Sequence, residues 1–130
     1  MRKTIFIIIA IAVVLAGFIF ALNMNIIPKN QNGPYDNFII CLKASGIKFY
    51  GDYTKLESLR QMSLFDDSLS ILENSGVYIE CNKYGPNPKV NKCQEANVKM
   101  YPSWEIKEIK YEGILGLNRL EELSGCKREN

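Results

Sequence analysis

The sequence predicts an α/β domain standing behind an apolar amino-terminal helix. Three observations carry that reading. Residues 5–22 form an unbroken apolar run introduced by Arg2 and Lys3. Beyond it, segments with helical period alternate with short β-branched and aromatic segments, the pattern of a sheet covered by helices. All four cysteines, Cys41, Cys81, Cys93 and Cys126, lie past the run. An even cysteine count outside a membrane segment reads as two disulfides in an oxidising compartment.

In chain order, residues 1–22 come first. The 18 apolar residues would span ~27 Å as a helix, close to the ~30 Å of a bilayer's hydrocarbon core. That length favours an uncleaved membrane anchor over a signal peptide, whose apolar region is shorter. Either way the basic flank stays cytoplasmic and the rest lies on the extracytoplasmic side, in the periplasm or at the cell surface, or secreted if the segment is cleaved. Residues 23–34, rich in Asn, Pro and Gly, read as a linker, and residues 35–130 as the domain.

Within the domain, residues 35–45 predict a helix that places Phe38, Ile39, Cys41 and Leu42 near one face, with Gly46 as its stop. The β-branched and aromatic stretch at 47–53 predicts a strand. Residues 54–65 predict a helix, with Thr54 as N-cap and Glu57 closing a capping box. Asp66 and Asp67 interrupt it before a second helical stretch that ends at Gly76. Residues 77–81 predict the next strand. Asn87 is expected to cap a helix begun by Pro88 and carrying Cys93 on its apolar face. Two strands are expected at 104–109 and 110–112, and a last helix from an Asn118 N-cap to Gly125.

Charge and composition close several functional classes. The chain has 16 basic and 14 acidic residues, and without its first 22 the two signs balance at 14 each. Such a domain has no excess positive charge for nucleic-acid binding. It contains no histidine, which removes Ser-His-Asp and Cys-His catalysis and imidazole ligation. The cysteines include no C-x-x-C pair, so a zinc centre is not expected. No metal or cofactor is implied.

Several segments resemble one known family. CLKASGIKFYGDY (41–53), VYIECNKYGPN (77–87), Cys93, MYPSWEI (100–106), YEG (111–113) and LEELSGC (120–126) span about 85 residues in order. They are similar to the thioredoxin-like domain that follows the membrane domain in bacterial and plant-type vitamin K epoxide reductase homologues. The resemblance implies a thioredoxin-like fold, a central mixed sheet of about four strands flanked by helices, after the transmembrane helix. It also implies a W-C-x-x-C motif at the start of the first core helix, where the helix dipole and free N–H groups favour a thiolate. Here the motif is replaced: Lys55 stands at the first cysteine position and Ser58 at the second. A serine without a neighbouring base is not a competent nucleophile, and Lys55 reads as an exposed first-turn lysine rather than a Schiff-base amine.

No catalytic residue is therefore expected at the usual site. The resemblance aligns Pro102 with the family's cis-proline, so Tyr101–Pro102 is expected to be cis, in a loop that could present Tyr101 and Pro102 to an extended peptide. Four cysteines allow three pairings. Cys81–Cys93 closes a strand to the following helix across a turn, and Cys41–Cys126 joins the first and last helices, so these are the expected bonds. The expected function is a membrane-tethered binding or scaffold module, its partner an extended peptide or a membrane oxidoreductase. The alternative is a thiol–disulfide oxidoreductase using a non-standard cysteine pair.

Overall fold

The computed structural model describes residues 33–128. The expected anchor over 1–22 and nearly all of the linker over 23–34 lie outside them. Among the described residues no helix is long and apolar enough to cross a membrane. The elements run α1 (Asp36–Ala44), β1 (Lys48–Gly51), α2 (Leu56–Ser63), a 3-10 turn (Asp66–Ser68) and α3 (Leu69–Ser75). They continue as β2 (Tyr78–Glu80), α4 (Val90–Glu95), β3 (Ser103–Ile106), β4 (Ile109–Glu112) and α5 (Leu117–Ser124).

The strands form one mixed sheet in the order β2-β1-β3-β4. β1 pairs parallel to β2, with Tyr50 opposite Ile79 and Gly51 opposite Glu80. It pairs antiparallel to β3, with Phe49 opposite Trp104 and Tyr50 opposite Ser103. Alternate residues of β1 enter different clusters, as the two-residue strand period requires. Phe49 joins the larger one, with Phe38, Ile39, Leu42, Phe65, Leu72, Trp104 and Leu120. Tyr50 joins the smaller one with Ile79 and Cys93. Both sheet faces are thus covered, and the architecture is α/β.

Trp104 is completely buried and stacks on Phe49, ring centroids 4.7 Å apart and planes 13° apart. Its indole N–H donates to Oε1 of Gln61, a fully buried amide on α2. Gln61 Oε1 also accepts from the Leu115 N–H at 2.7 Å, and its Nε2 donates to the Leu115 carbonyl at 3.0 Å. One side chain therefore ties α2 to β3 and to the loop before α5, with its polar atoms satisfied as burial demands.

Three helix starts differ from the sequence expectations. α2 is capped by Lys55, not Thr54, and has no side-chain cap. The Thr54 hydroxyl and N–H both donate to Asp52 Oδ1, at 2.6 and 2.9 Å, so this oxygen of Asp52 engages the hydroxyl that would otherwise cap the helix. α4 starts at Val90 after Lys89, because Asn87 sits at φ 48°, outside the extended region an N-cap needs. α5 starts at Leu117 after an extended Gly116, and the side-chain Oδ1 of Asn118 instead accepts from the Arg128 guanidinium. The last two strands also meet earlier than expected. Lys107 and Glu108 take φ 50° and 65°, the paired left-handed conformation of a two-residue hairpin turn.

Candidate functional site

Strand register gathers one cluster of residues at a single end of the sheet. The Cys81 N–H donates to the Gly51 carbonyl at 2.8 Å, placing the exits of β1 and β2 side by side. Since Tyr50 pairs with Ser103, Pro102 enters β3 at the same end. The Tyr101–Pro102 bond is cis, and Pro102 is buried. α2 begins just past β1, so its first turn lies at this end too.

Lys55 and Ser58 occupy the first-turn positions of α2, Lys55 as the N-cap and exposed, Ser58 two residues into the helix and fully buried. Ser58 Oγ accepts from the Asp52 N–H at 3.1 Å, which ties the helix to the end of β1. No histidine exists to act as its base. Asp52 is the hub of the cluster: besides Thr54, Asn82 Nδ2 donates to its Oδ1 at 3.1 Å. Burial pushes the Asp52 carboxyl up, but the hydrogen bonds from Thr54 and Asn82 and the charge of Lys55 together hold it below the usual carboxylate range. Burial and the charges of Asp52 and Glu80 raise the Tyr101 phenol.

A group whose folded pKa is lowered contributes stability above its unfolded value, and that contribution is lost as pH falls through the folded value. Asp52 should therefore stay ionised below the usual midpoint near 3.9. In a carbon-detected NMR titration its midpoint should rise toward the ordinary value in Thr54→Ala and in Lys55→Gln. An unshifted Asp52 in the native chain would contradict this network.

The two disulfides lie in different clusters. Cys81 is bonded to Cys93, 12 residues on, beside Tyr50, Ile79 and Tyr101. Cys41 is bonded to Cys126, 85 residues on, within the larger cluster. Among the described residues no cysteine is free, and no group of three or more His, Cys, Asp or Glu could hold a metal ion. The site thus joins Lys55, Ser58, Tyr101, Pro102 and the Cys81–Cys93 bond at one sheet end, while Cys41–Cys126 belongs to the other core.

Sequence reasoning overlooked Asp52, Asn82 and the buried pair beneath them. Glu80 is 2% exposed; its Oε2 accepts from the Tyr78 hydroxyl at 2.5 Å and its Oε1 from the Asn82 N–H at 2.7 Å. Burial, then this bond and the charges of Glu80, Asp52 and Glu73, raise the Tyr78 phenol far above its ordinary value. The Asp52-Tyr53-Thr54 spacing was a legible signal, since aspartate commonly hydrogen-bonds the backbone two residues on. No model of a known protein family matches the chain.

Proposed function

We propose that residues 35–130 are a thioredoxin-like module, held by the amino-terminal segment on the extracytoplasmic side of a membrane, that binds a partner without redox chemistry at the usual position. The β2-β1-β3-β4 order, with β1 and β2 parallel, supports the finer fold assignment, as does the segment-by-segment resemblance. The two disulfides suit an oxidising compartment. The observation that carries the reading is the first turn of α2. An exposed Lys55 and a buried Ser58, bonded to the Asp52 backbone, stand beside the Pro102 loop where an exchanging dithiol would be expected. The cis Tyr101–Pro102 bond supports a loop that would present these residues to an extended chain, and the partner is read as a peptide segment or a membrane oxidoreductase.

The test is to restore the dithiol. Lys55→Cys with Ser58→Cys should form a third intramolecular disulfide, read as a loss of two mass units relative to the reduced variant at those positions. The pair should also exchange with a small-molecule dithiol, since placement at a helix start lowers a thiol's pKa. Exchange should be modest, because the Glu57 carboxylate opposes deprotonation nearby. A folded variant unable to close that bond would show that the Lys55–Ser58 assignment is wrong.

One observation favours the oxidoreductase reading. Cys81 is half-buried and, with Cys93, borders an open depression lined also by Val90, Gln94, Val98 and Tyr101. Its partner Cys93, however, is 4% exposed on the inward face of α4 rather than at a helix start, where a thiolate would be stabilised. Cys126 lies past the carboxyl end of α5, where the dipole disfavours a thiolate.

A further inference from the structure

The sheet ends on an open strand. In the order β2-β1-β3-β4, the outer side of β4 pairs with no other strand among the described residues. The Gly113 N–H donates to the Pro102 carbonyl at 2.8 Å. Hydrogen-bonded pairs alternate along an antiparallel ladder, so Ile109, Tyr111 and Gly113 turn their backbone groups toward β3, and Lys110 and Glu112 turn theirs outward. Both of these residues are exposed, and among the described residues neither side chain is in an ion pair. Glu105, across from Lys110 on β3, is engaged by Lys48 instead. Ile109 is 56% exposed, although it shares a strand face with Tyr111, which packs on the larger core. Past Gly113 the chain leaves this edge, since the N–H and carbonyl of Leu115 both bond to Gln61.

An open edge is a template for a further strand, and the charges along it decide which strand and in what register. The sequence Lys110-Tyr111-Glu112 is its own complement. Turned antiparallel about Tyr111, a second copy of β4 sets Lys110 opposite the second copy's Glu112, and Glu112 opposite its Lys110. These are the residues whose backbone groups point outward, so each pair exchanges two hydrogen bonds and also brings unlike charges together. A register centred on Lys110 sets lysine against lysine, and one centred on Glu112 sets glutamate against glutamate. Like charges directly opposite are destabilising, so the register about Tyr111 is selected. In it Ile109 lies diagonally across from the second copy's Tyr111, within reach of an aromatic side chain. We propose that two copies of this chain pair antiparallel through β4 about Tyr111, joining their two four-stranded sheets into one. The contact is isologous and closes after two copies, and an edge this short makes the pair a weak one. It is independent of what the Pro102 loop binds.

The test is sedimentation equilibrium of the full chain in a density-matched, uncharged detergent, at low salt because salt screens exposed ion pairs. The parent should pair reversibly as its concentration rises. Lys110→Glu makes the edge wholly acidic and Glu112→Lys makes it wholly basic, so each variant alone should pair about tenfold more weakly or worse. An equal mixture of the two should recover pairing at least as tight as the parent's, because every contact across the edge again joins unlike charges. Both positions are exposed, and the melting midpoint of each variant should stay near the parent's. In a mixture of isotopically light and heavy chains, a carbodiimide should join Lys110 of one copy to Glu112 of the other. A parent that stays monomeric at the highest concentration reached would overturn the second copy as the occupant of this edge. Association that ignores both charge changes, or a mixture that pairs no better than the variants alone, would overturn the strand pairing and place the contact elsewhere in the chain. Light–heavy links from Lys110 only to other carboxylates would overturn the register.

Discussion

Replacing Cys41 and Cys126 together by serine should cost the domain about 4–5 kcal/mol, the larger of the two disulfide effects. The bond closes a loop with a sequence separation of 85, against 12 for Cys81–Cys93. In the chain-entropy account those loops correspond to about 4–5 and about 3 kcal/mol, respectively. A domain's whole stability is about 5–15 kcal/mol, so losing the longer closure removes a large part of it. The position of the bond points the same way. It fastens α1 to the residues after α5 inside the larger core, where Cys126 is 1% exposed. Urea denaturation of the full chain in a mild detergent, without reductant, measures the difference. A loss below about 1 kcal/mol would mean that packing alone already holds the two ends together.

Gln61→Leu should destabilise by about 3–5 kcal/mol, although leucine suits a helix facing a core. The substitution would strand the Trp104 indole N–H and the Leu115 N–H, each of which now donates to Gln61 Oε1. A buried donor left unpaired costs about 1–3 kcal/mol. Two of them exceed anything leucine gains by being apolar. The denaturation midpoint should fall with little change in slope, since the surface exposed on unfolding is nearly the same. Ser63→Ala, at the exposed end of the same helix, should stay within about 0.5 kcal/mol. A Gln61→Leu variant as stable as the parent would remove the amide from the account of the core.

The Cys41–Cys126 bond and Gln61 mark how far the sequence could be read. Hydrophobic period and turn residues were enough for the sheet and helices, because burial of Phe38, Phe49, Trp104 and Leu120 decides where those segments sit. Cysteine placement was legible for a similar reason: a strand end and the next helix are close wherever the turn between them is short. Gln61 was not legible. In a helix it looks like one more solvated polar residue, and only the folded chain brings Trp104 and Leu115 to it from over 40 positions away.

The helix caps failed for a local reason. Capping patterns assume a free side chain, but Asp52 engages Thr54, and the left-handed backbone at Asn87 takes it out of cap geometry. The candidate site divides in two. Lys55, Ser58 and Pro102 were singled out through the resemblance alone, and the structure places them at one sheet end. Asp52, Asn82 and Glu80 act on one another across β1 and β2, and nothing in the spacing of 52, 80 and 82 announces that meeting.

We propose that the native domain catalyses no thiol–disulfide exchange above background. The most direct measurement is turnover of insulin disulfides by the full chain with a small-molecule dithiol as the electron source, against a blank without protein. The account predicts a rate equal to the blank. Cys81→Ser and Cys93→Ser should leave that rate unchanged. A rate well above the blank that vanishes in either variant would contradict the account and assign the domain to the oxidoreductases.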